Sequence, residues 1–381
     1  MKIGLIGAGR LGICLALLME NAGYDVLVSD IREDYVENLN KKIISSTEPF
    51  VQEHLKQAKY LEATTDNKKV IAECDIIFTL VATPSLDDGS YDVSSVWNVV
   101  RDFQESPNVE GKTLVVGCTT NPGDCARFQE QLKSYGVSVV YNPEFIAQGS
   151  IIKDLTHADM VLIGGDNTEV LETLSEIYKK IQVTKPVISI MSSTAAEIVK
   201  IAVNCFMTTK ISFANMIGEV LILSGLENEI ESVLSSIASD SRIGSKYLKF
   251  GFGFGGPCLP RDNRSFGRYA ERLGLKYNLG TTTDDFNNEH AKFLKNYFIN
   301  KNVDRLPFHF DYISYKKGTD ILTESQQYKL CLDLLDAGYE VYVSDNPHII
   351  KQVEGLLTDQ YGDRIHFGEP PEKINTFAIK L

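Results

Sequence analysis

Short, unbroken apolar runs alternate with stretches of helical periodicity through the first half of the chain. Ile3 to Ile6, Asp25 to Ser29, Asp75 to Val81, Thr113 to Gly117 and Val137 to Tyr141 read as strands. They are apolar along their whole length rather than at every second position, which marks strands covered on both faces. Between them, Leu11 to Ala22 has a small, apolar helical face and Asp34 to Lys42 repeats at helical spacing. Val161 to Gly165 and Val187 to Ile190 add two further strands. This alternation predicts an α/β fold, a Rossmann-like doubly wound parallel sheet with helices on both faces.

From Ser193 the pattern changes. Ala195 to Leu223 is one long helical stretch with no glycine before Gly218, and a second helix follows at Glu227 to Ser239. A glycine-rich segment closes this section, and helices run from Asn263 to about Tyr297. Near the C-terminus, Tyr312 to Ser314 reads as a strand, Ser325 to Ala337 as a helix and Tyr339 to Asp345 as a strand. Three domains are therefore expected: 1–190 (sheet), 191–300 (central, helical) and 301–381 (a smaller Rossmann-like α/β unit). The two strand–helix–strand ends are alike in plan but not in sequence, and no repeat of solenoid length is present.

Composition narrows the setting. A formal charge of −13 over 381 residues disfavours a general nucleic-acid binder, which needs a basic face. Apolar runs such as Asp75 to Ala82 are too short to span a bilayer. The chain opens directly on a strand, which leaves no room for a signal peptide. Seven scattered cysteines form neither a metal-ligand spacing nor a disulfide framework, and their odd number points to a reducing cytoplasm.

Two motifs carry chemistry. Gly7-Ala8-Gly9-Arg10-Leu11-Gly12 follows a strand and opens a helix. In that context the first glycine makes the turn, the second admits a pyrophosphate and the third lets helix and strand pack closely. Asp30, at the end of the second strand, suits the ribose hydroxyls of NAD, whereas nearby Arg32 is the residue type that accommodates NADP. The second motif is Gly251-Phe252-Gly253-Phe254-Gly255-Gly256-Pro257-Cys258-Leu259-Pro260-Arg261-Asp262. It reads either as a loop presenting a nucleophilic thiol beside positive charge, or as a tight turn with a buried cysteine.

Smaller clusters also have two readings. Thr119-Thr120-Asn121-Pro122-Gly123 and Asn142 to Gly149 each follow a strand, at the sheet edge where such folds place ligands. Thr120 then belongs to a ligand loop or to a capping turn, and Glu144 is a base or a solvated carboxylate. Lys200 and Asn204 lie four apart on an otherwise apolar helix, hence on one face. Such a pair is a solvated face or part of a site.

In order along the chain, these pieces resemble the UDP-glucose/GDP-mannose dehydrogenase family of NAD-dependent nucleotide-sugar 6-dehydrogenases. The resemblance runs from residue 1 to about 290, and more faintly to about 345. Beyond the motifs above it includes Glu48-Pro49, Ala63-Thr64-Thr65-Asp66, Val81-Ala82-Thr83-Pro84-Ser85, Glu197-Ile198-Val199-Lys200 and Arg242-Ile243-Gly244. It implies a four-electron oxidation. The C6 alcohol of a nucleotide sugar gives a hydride to NAD, and Cys258 attacks the aldehyde to form a thiohemiacetal. A second NAD takes a second hydride, leaving a thioester that water hydrolyses to the uronic acid.

The same resemblance assigns roles. Lys200 and Asn204 would steady the oxyanion, Asp262 and Thr120 would hold a water, and Glu144 would be the base for hydrolysis. Gly7, Gly9, Arg10, Leu11, Gly12, Asp30, Thr83, Thr120, Gln148 and Arg261 would bind NAD. Glu144, Phe145, Gln148, Lys200, Asn204, Tyr247, Leu248, Lys249, Phe250, Gly251, Gly255 and Lys316 would line the sugar-nucleotide pocket. Arg242 would reach a neighbouring subunit's substrate, in a homodimer formed through the central helices.

Several positions depart from the family pattern. Arg261 stands where a lysine is usual, Gln148 where many members have glutamate, and Ala82 where proline is common. Asp311-Tyr312-Ile313-Ser314-Tyr315-Lys316 and Thr319 to Ser325 replace the usual C-terminal nucleotide motifs, keeping Lys316 but placing Thr323 where an arginine is expected. UDP-glucose oxidation to UDP-glucuronate is the leading reading. GDP-mannose, a UDP-N-acetylhexosamine, or a non-catalytic NAD- or nucleotide-binding relative remain the alternatives.

Overall fold

A computed structural model describes residues 1–381. The chain divides into two compact units, Met1–Lys200 and Ile201–Leu381.

The first unit is the expected alternation. In chain order it comprises β1 (Lys2–Ile6), α1 (Arg10–Asn21), β2 (Asp25–Ser29), α2 (Glu33–Asn40), α3 (Val51–Gln57), β3 (Leu61–Thr64), α4 (Asn67–Glu73) and β4 (Ile76–Thr79). Then come α5 (Ser94–Glu105), β5 (Thr113–Val116), α6 (Asp124–Leu132), β6 (Ser138–Tyr141), α7 (Ile151–Thr156), β7 (Met160–Gly164), α8 (Thr168–Ile181) and β8 (Val187–Met191). The strands form one sheet in the order β3-β2-β1-β4-β5-β6-β7-β8. Every pairing is parallel except β6 with β7, which touch antiparallel at Tyr141 and Gly164. The first six strands carry the order of a dinucleotide-binding sheet, whose ligand crevice opens at the carboxyl ends between β1 and β4. Ile3, Leu5, Val26, Val28, Phe78, Val115 and Val140 pack with α1, α7 and α8 into one core.

The second unit opens within α9 (Ser193–Leu223), which starts in the first unit, and continues with α10 (Ile230–Ala238), α11 (Leu259–Arg272) and α12 (Leu279–Lys301). Asn263 of α11 ties three helices together. Its side chain accepts from Thr208 at 2.8 Å and Thr283 at 3.2 Å, and donates to the Gly280 carbonyl at 2.8 Å. Next come β9 (Phe308–Phe310), α13 (Gln326–Asp336), β10 (Val341–Val343), α14 (Pro347–Tyr361), β11 (Ile365–Phe367) and β12 (Phe377–Ala378). These strands form a parallel sheet in the order β11-β10-β9-β12, repeating the β3-β2-β1-β4 order of the first sheet.

One expectation is corrected. The strand read at Tyr312 to Ser314 lies earlier, at Phe308–Phe310. The N–H groups of Ile313 and Ser314 donate to the Asp345 carboxylate at 2.9 and 2.8 Å, so this buried stretch is a loop rather than part of the ladder. One helix, α9, is long and apolar enough to cross a bilayer by length and composition alone, although no uninterrupted apolar run in it is long. Polar residues such as Thr208, Ser212 and Asn215 interrupt its sequence and hide its overall hydropathy.

Candidate active site

The turn from β1 into α1 is built by three glycines in three different surroundings. Gly7 has a φ of +99°, and a Cβ there would sit 2.8 Å from the Leu80 carbonyl oxygen. At Gly12 a Cβ would come within 2.1 Å of the Gly7 oxygen, so only glycine lets the helix approach the turn. Gly9 is the N-cap of α1, and its Cβ direction meets nothing within 4 Å. Open space thus lies where the first-turn N–H groups of Arg10, Leu11 and Gly12 lack helical acceptors, a cradle suited to a diphosphate.

Asp30 follows β2 and is clasped by Arg32, whose Nε and Nη2 donate at 2.7 and 2.9 Å. Burial pushes the carboxyl up, but the hydrogen bonds and charge of Arg32, with the Ala8 N–H, hold it below the usual carboxylate range. An ionised Asp30 accepts from ribose hydroxyls and repels a 2′-phosphate. Arg32, which raised the possibility of NADP, is committed to Asp30 and stacks on Tyr35 at 4.1 Å. These residues fit NAD. Arg10 Nη1 donates to Gln148 Oε1 at 3.0 Å, linking α1 to the loop after β6, and Thr83 lies buried beyond β4.

The loop after β6 is held from below by Glu48. Its carboxylate accepts from the Gly149 N–H at 2.8 and 3.0 Å and from the Ile151 N–H at 3.3 Å. Glu144 is not a solvated carboxylate. Its Oε1 lies 2.5 Å from the Tyr178 hydroxyl, which is also 2.6 Å from Asn142 Oδ1. Burial pushes the Glu144 carboxyl up to about 7, against the opposing pull of Tyr178 and the Lys200 ammonium. Lys200 lies over the Phe145 ring at 4.9 Å.

Behind the loop after β5 sits Glu197, fully buried on α9. One carboxylate oxygen accepts from the Thr120 hydroxyl at 2.8 Å and the Cys125 N–H at 2.9 Å; the other accepts from the Gly123 N–H at 2.6 Å. Burial pushes this carboxyl up too, with the backbone donors and Thr120 opposing.

In the second unit Cys258 is exposed and is the N-cap of α11, so the thiol sits at the positive end of a helix. This removes the buried-cysteine reading. Asp262, one turn on and 1 % exposed, accepts from Asn204 Nδ2 at 2.5 Å, and Arg261 Nε lies 3.8 Å from its other oxygen.

The glycine-rich loop hangs from side chains of two helices. On α9, Asn215 accepts the Gly251 N–H at 3.0 Å. On α12, His290 Nε2 meets the Gly251 carbonyl at 2.8 Å while its Nδ1 meets Glu219 at 2.6 Å. Asn287 clamps both the N–H and the C=O of Phe254, at 2.9 and 3.0 Å. At Gly253 and Gly255 a Cβ would strike Asn287 and the Glu324 carbonyl, so protein fills that space; only Gly251 faces an opening. That opening is a cavity of about 600 Å³, lined from one side by Lys249 to Gly253 and Gly255 and from the other by Asp311, Tyr312, Tyr315, Gln326 and Gln327. Leu248 is buried beneath the loop, while Tyr247 is half exposed with a φ of +63°.

Sequence similarity decides the family. The profile of the UDP-glucose/GDP-mannose dehydrogenase family, NAD binding domain, matches residues 1–182, and that of its central domain matches 194–289. The chain belongs to this family. Its members are NAD-dependent nucleotide-sugar dehydrogenases. Among similar proteins, the UDP-glucose 6-dehydrogenase AglM of Haloferax volcanii is 30% identical over 364 residues, covering 90% of this chain and 82% of that one. A UDP-glucose 6-dehydrogenase of Rhizobium meliloti is 30% identical over 374 residues, covering 93% and 84%. The solved UDP-glucose dehydrogenase of Pyrobaculum islandicum superposes with a TM-score of 0.84 at 27% identity, covering 98% of this chain and 88% of that one. A UDP-D-ManNAc dehydrogenase from Pyrococcus horikoshii reaches 0.80 at 21% identity, covering 100% and 99%, which shows a shared fold alone.

Two expected substrate residues stand apart from these groups. Arg242 is exposed and paired with Asp240 at 2.6 Å, and Lys316 is exposed in a turn outside the cavity lining. Sequence reasoning assigned no role to Glu197, Tyr178, Asn287 or His290. Glu197 had a signal, since it sits one turn before Lys200 on the same helix face.

Proposed function

We propose that this dehydrogenase carries out the four-electron oxidation of UDP-glucose to UDP-glucuronate through a covalent intermediate on Cys258. The observation that carries the reading is the exposed thiol at a helix N-terminus, with the buried Asn204–Asp262 pair one turn away. Relatives about 30% identical over most of their length, named UDP-glucose 6-dehydrogenases, support the choice of sugar nucleotide.

When bound, NAD supplies the hydride acceptor for each of the two oxidations. The residues divide the remaining work. The Lys200 ammonium and Asn204 amide stabilise negative charge on the C6 oxygen. The Thr120 hydroxyl donates to Glu197, which leaves its oxygen free to accept from a water, and Asp262 takes up the alcohol proton through such a water. Cys258 sulfur adds to the aldehyde carbon, and the second oxidation leaves the thioester. Glu144, poised near neutrality, removes a proton from the hydrolytic water; the C–S bond breaks and the thiol is restored. The loop from Tyr247 to Gly251, with Gly255, receives the sugar nucleotide. Residues 1–190 serve as the cofactor domain, 191–300 as the central domain and 301–381 as the nucleotide domain.

We also assign a homodimer. Phe206, Phe213, Met216, Val220 and Leu223 are exposed on α9, at spacings that place them along one face. An apolar face of this kind is suited to burial against a second copy of α9. All seven cysteines are free, as a reducing cytoplasm would keep them.

The test incubates the protein with NAD and UDP-glucose, GDP-mannose or a UDP-N-acetylhexosamine, and follows NADH absorbance. UDP-glucose should give two NADH per sugar, and Cys258→Ser should stop turnover while still binding NAD. Full oxidation by Cys258→Ser would sink the covalent route, and silence with every sugar would favour a binding protein.

A further inference from the structure

The contacts around Glu144 hold one hydroxyl proton for two acceptors. Asn142 Nδ2 donates to the Leu162 carbonyl at 2.9 Å, which turns Oδ1 toward Tyr178 as an acceptor. The Tyr178 oxygen is 2.6 Å from that Oδ1 and 2.5 Å from Glu144 Oε1. A phenol has a single O–H, so it satisfies only one of them at a time. If the proton points at Asn142, the Tyr178 oxygen offers Glu144 a lone pair, and the short contact then needs Glu144 to be a carboxylic acid. If it points at Glu144, the contact suits a carboxylate.

We infer that Tyr178 is a positioning residue whose hydroxyl rotates between Asn142 and Glu144, so that Glu144 changes protonation state without moving. The inference rests on the assignment of Glu144 as the hydrolytic base. In the resting carboxylate state Tyr178 donates to Glu144. Water then gives one proton to Glu144 as its oxygen bonds to the thioester carbon and the C=O electron pair moves onto the carbonyl oxygen. Glu144 becomes an O–H donor to Tyr178, whose own proton turns to Asn142. When the electron pair returns, the C–S bond breaks with its electrons on sulfur, and the proton held by Glu144 passes on to the thiolate, restoring the carboxylate. No proton is gained or lost by the tyrosine, and no heavy atom needs to shift. Burial, and then Glu144 itself, push the Tyr178 phenol well above its ordinary range, so it keeps its proton throughout. Two groups face Glu144, the neutral Tyr178 hydroxyl from α8 through its hydrogen bond and the Lys200 ammonium from α9 through its charge, and both favour the carboxylate.

The test compares the unaltered chain with its Tyr178→Phe and Glu144→Gln variants. Infrared difference spectra against Glu144→Gln isolate the Glu144 acid band as pH is varied. Tyr178→Phe removes a donor to the carboxylate, so the band should persist to higher pH than in the parent, and the acid limb of product release should move up with it. Thioester hydrolysis should slow about tenfold in Tyr178→Phe, with acyl-enzyme accumulating, while NAD binding is retained. A band that titrates at the same or lower pH in Tyr178→Phe would overturn the inference. In the unaltered protein, which avoids any folding defect of the variant, the Tyr178 ring carbon bearing oxygen should shift in NMR at the pH where Glu144 titrates. A tyrosine signal that stays still through that range would equally overturn it. If Glu144→Gln releases acid at the parent rate, the base assignment falls, while the two spectroscopic titrations still judge the hydroxyl switch on its own.

Discussion

At the scale of single residues, two carboxylates with little access to water, partly buried Glu144 and fully buried Glu197, carry the tension in this molecule. Burial pushes Glu144 up to about 7 from an ordinary value of 4.5. Between those values the folded chain holds a proton that the unfolded chain has lost, so stability falls as pH rises through 7. Glu144→Gln removes that dependence. Urea unfolding should show the variant gaining on the parent between pH 5 and pH 8, by at most about 3 kcal/mol, with the difference closing in acid. Glu197 should behave differently because it is the acceptor for three donors. Glu197→Ala leaves the Thr120 hydroxyl and two N–H groups without their partner, and should destabilise by about 3 kcal/mol in the same assay. The sequence made Cys258 and the fingerprint glycines legible because backbone geometry restricts what can stand there. It showed Glu197 within a motif but not its role, and it hid Tyr178, because their partners lie 77 and 34 positions away and are met only once the sheet has formed.

At the scale of elements, the glycine fingerprint and the cysteine loop use glycine for different ends. Gly12 lets a helix close on a turn, so Gly12→Ala should cost about 1–3 kcal/mol and weaken NAD binding, read by thermal unfolding and by cofactor titration. The loop from Gly251 to Gly256 is shaped mainly by what holds it. Asn287→Ala frees both polar groups of Phe254, and should raise KM for the sugar nucleotide more than it lowers kcat. The buried strands were readable because they are short apolar runs bounded by turn residues, whereas α1, apolar from Ile13 to Met19, is set apart by its greater length. The edge strand β3 was not readable, since Leu61-Glu62-Ala63-Thr64 is only partly covered and carries little signal. Asn287 and His290 were unreadable for another reason: a polar pair on a helix is ordinary until a loop is seen hanging from it.

At the scale of the whole molecule, the apolar face of α9 should decide the assembly. Phe213→Asp or Leu223→Asp places charge on it, and light scattering should then show a dimer for the parent and a monomer for either variant. A parent that runs as a monomer would count against that face being covered by a second copy. The same helix shows why composition alone misleads, because it combines membrane-grade hydropathy with a row of polar side chains bound into the central helices.

The twin strand order of the two sheets has a further consequence. Both are drawn to one plan, yet β1 is followed by Gly7-Ala8-Gly9 and β9 by Asp311-Tyr312, which line the cavity. Only the first sheet carries the glycine turn suited to a diphosphate. Under the proposed function, in which the second unit receives the sugar nucleotide, its loops can change with the substrate while the cofactor turn stays as it is. Grafting the 311–325 segment from a relative with a different preference is therefore a way to breed a new specificity into an unchanged oxidation engine.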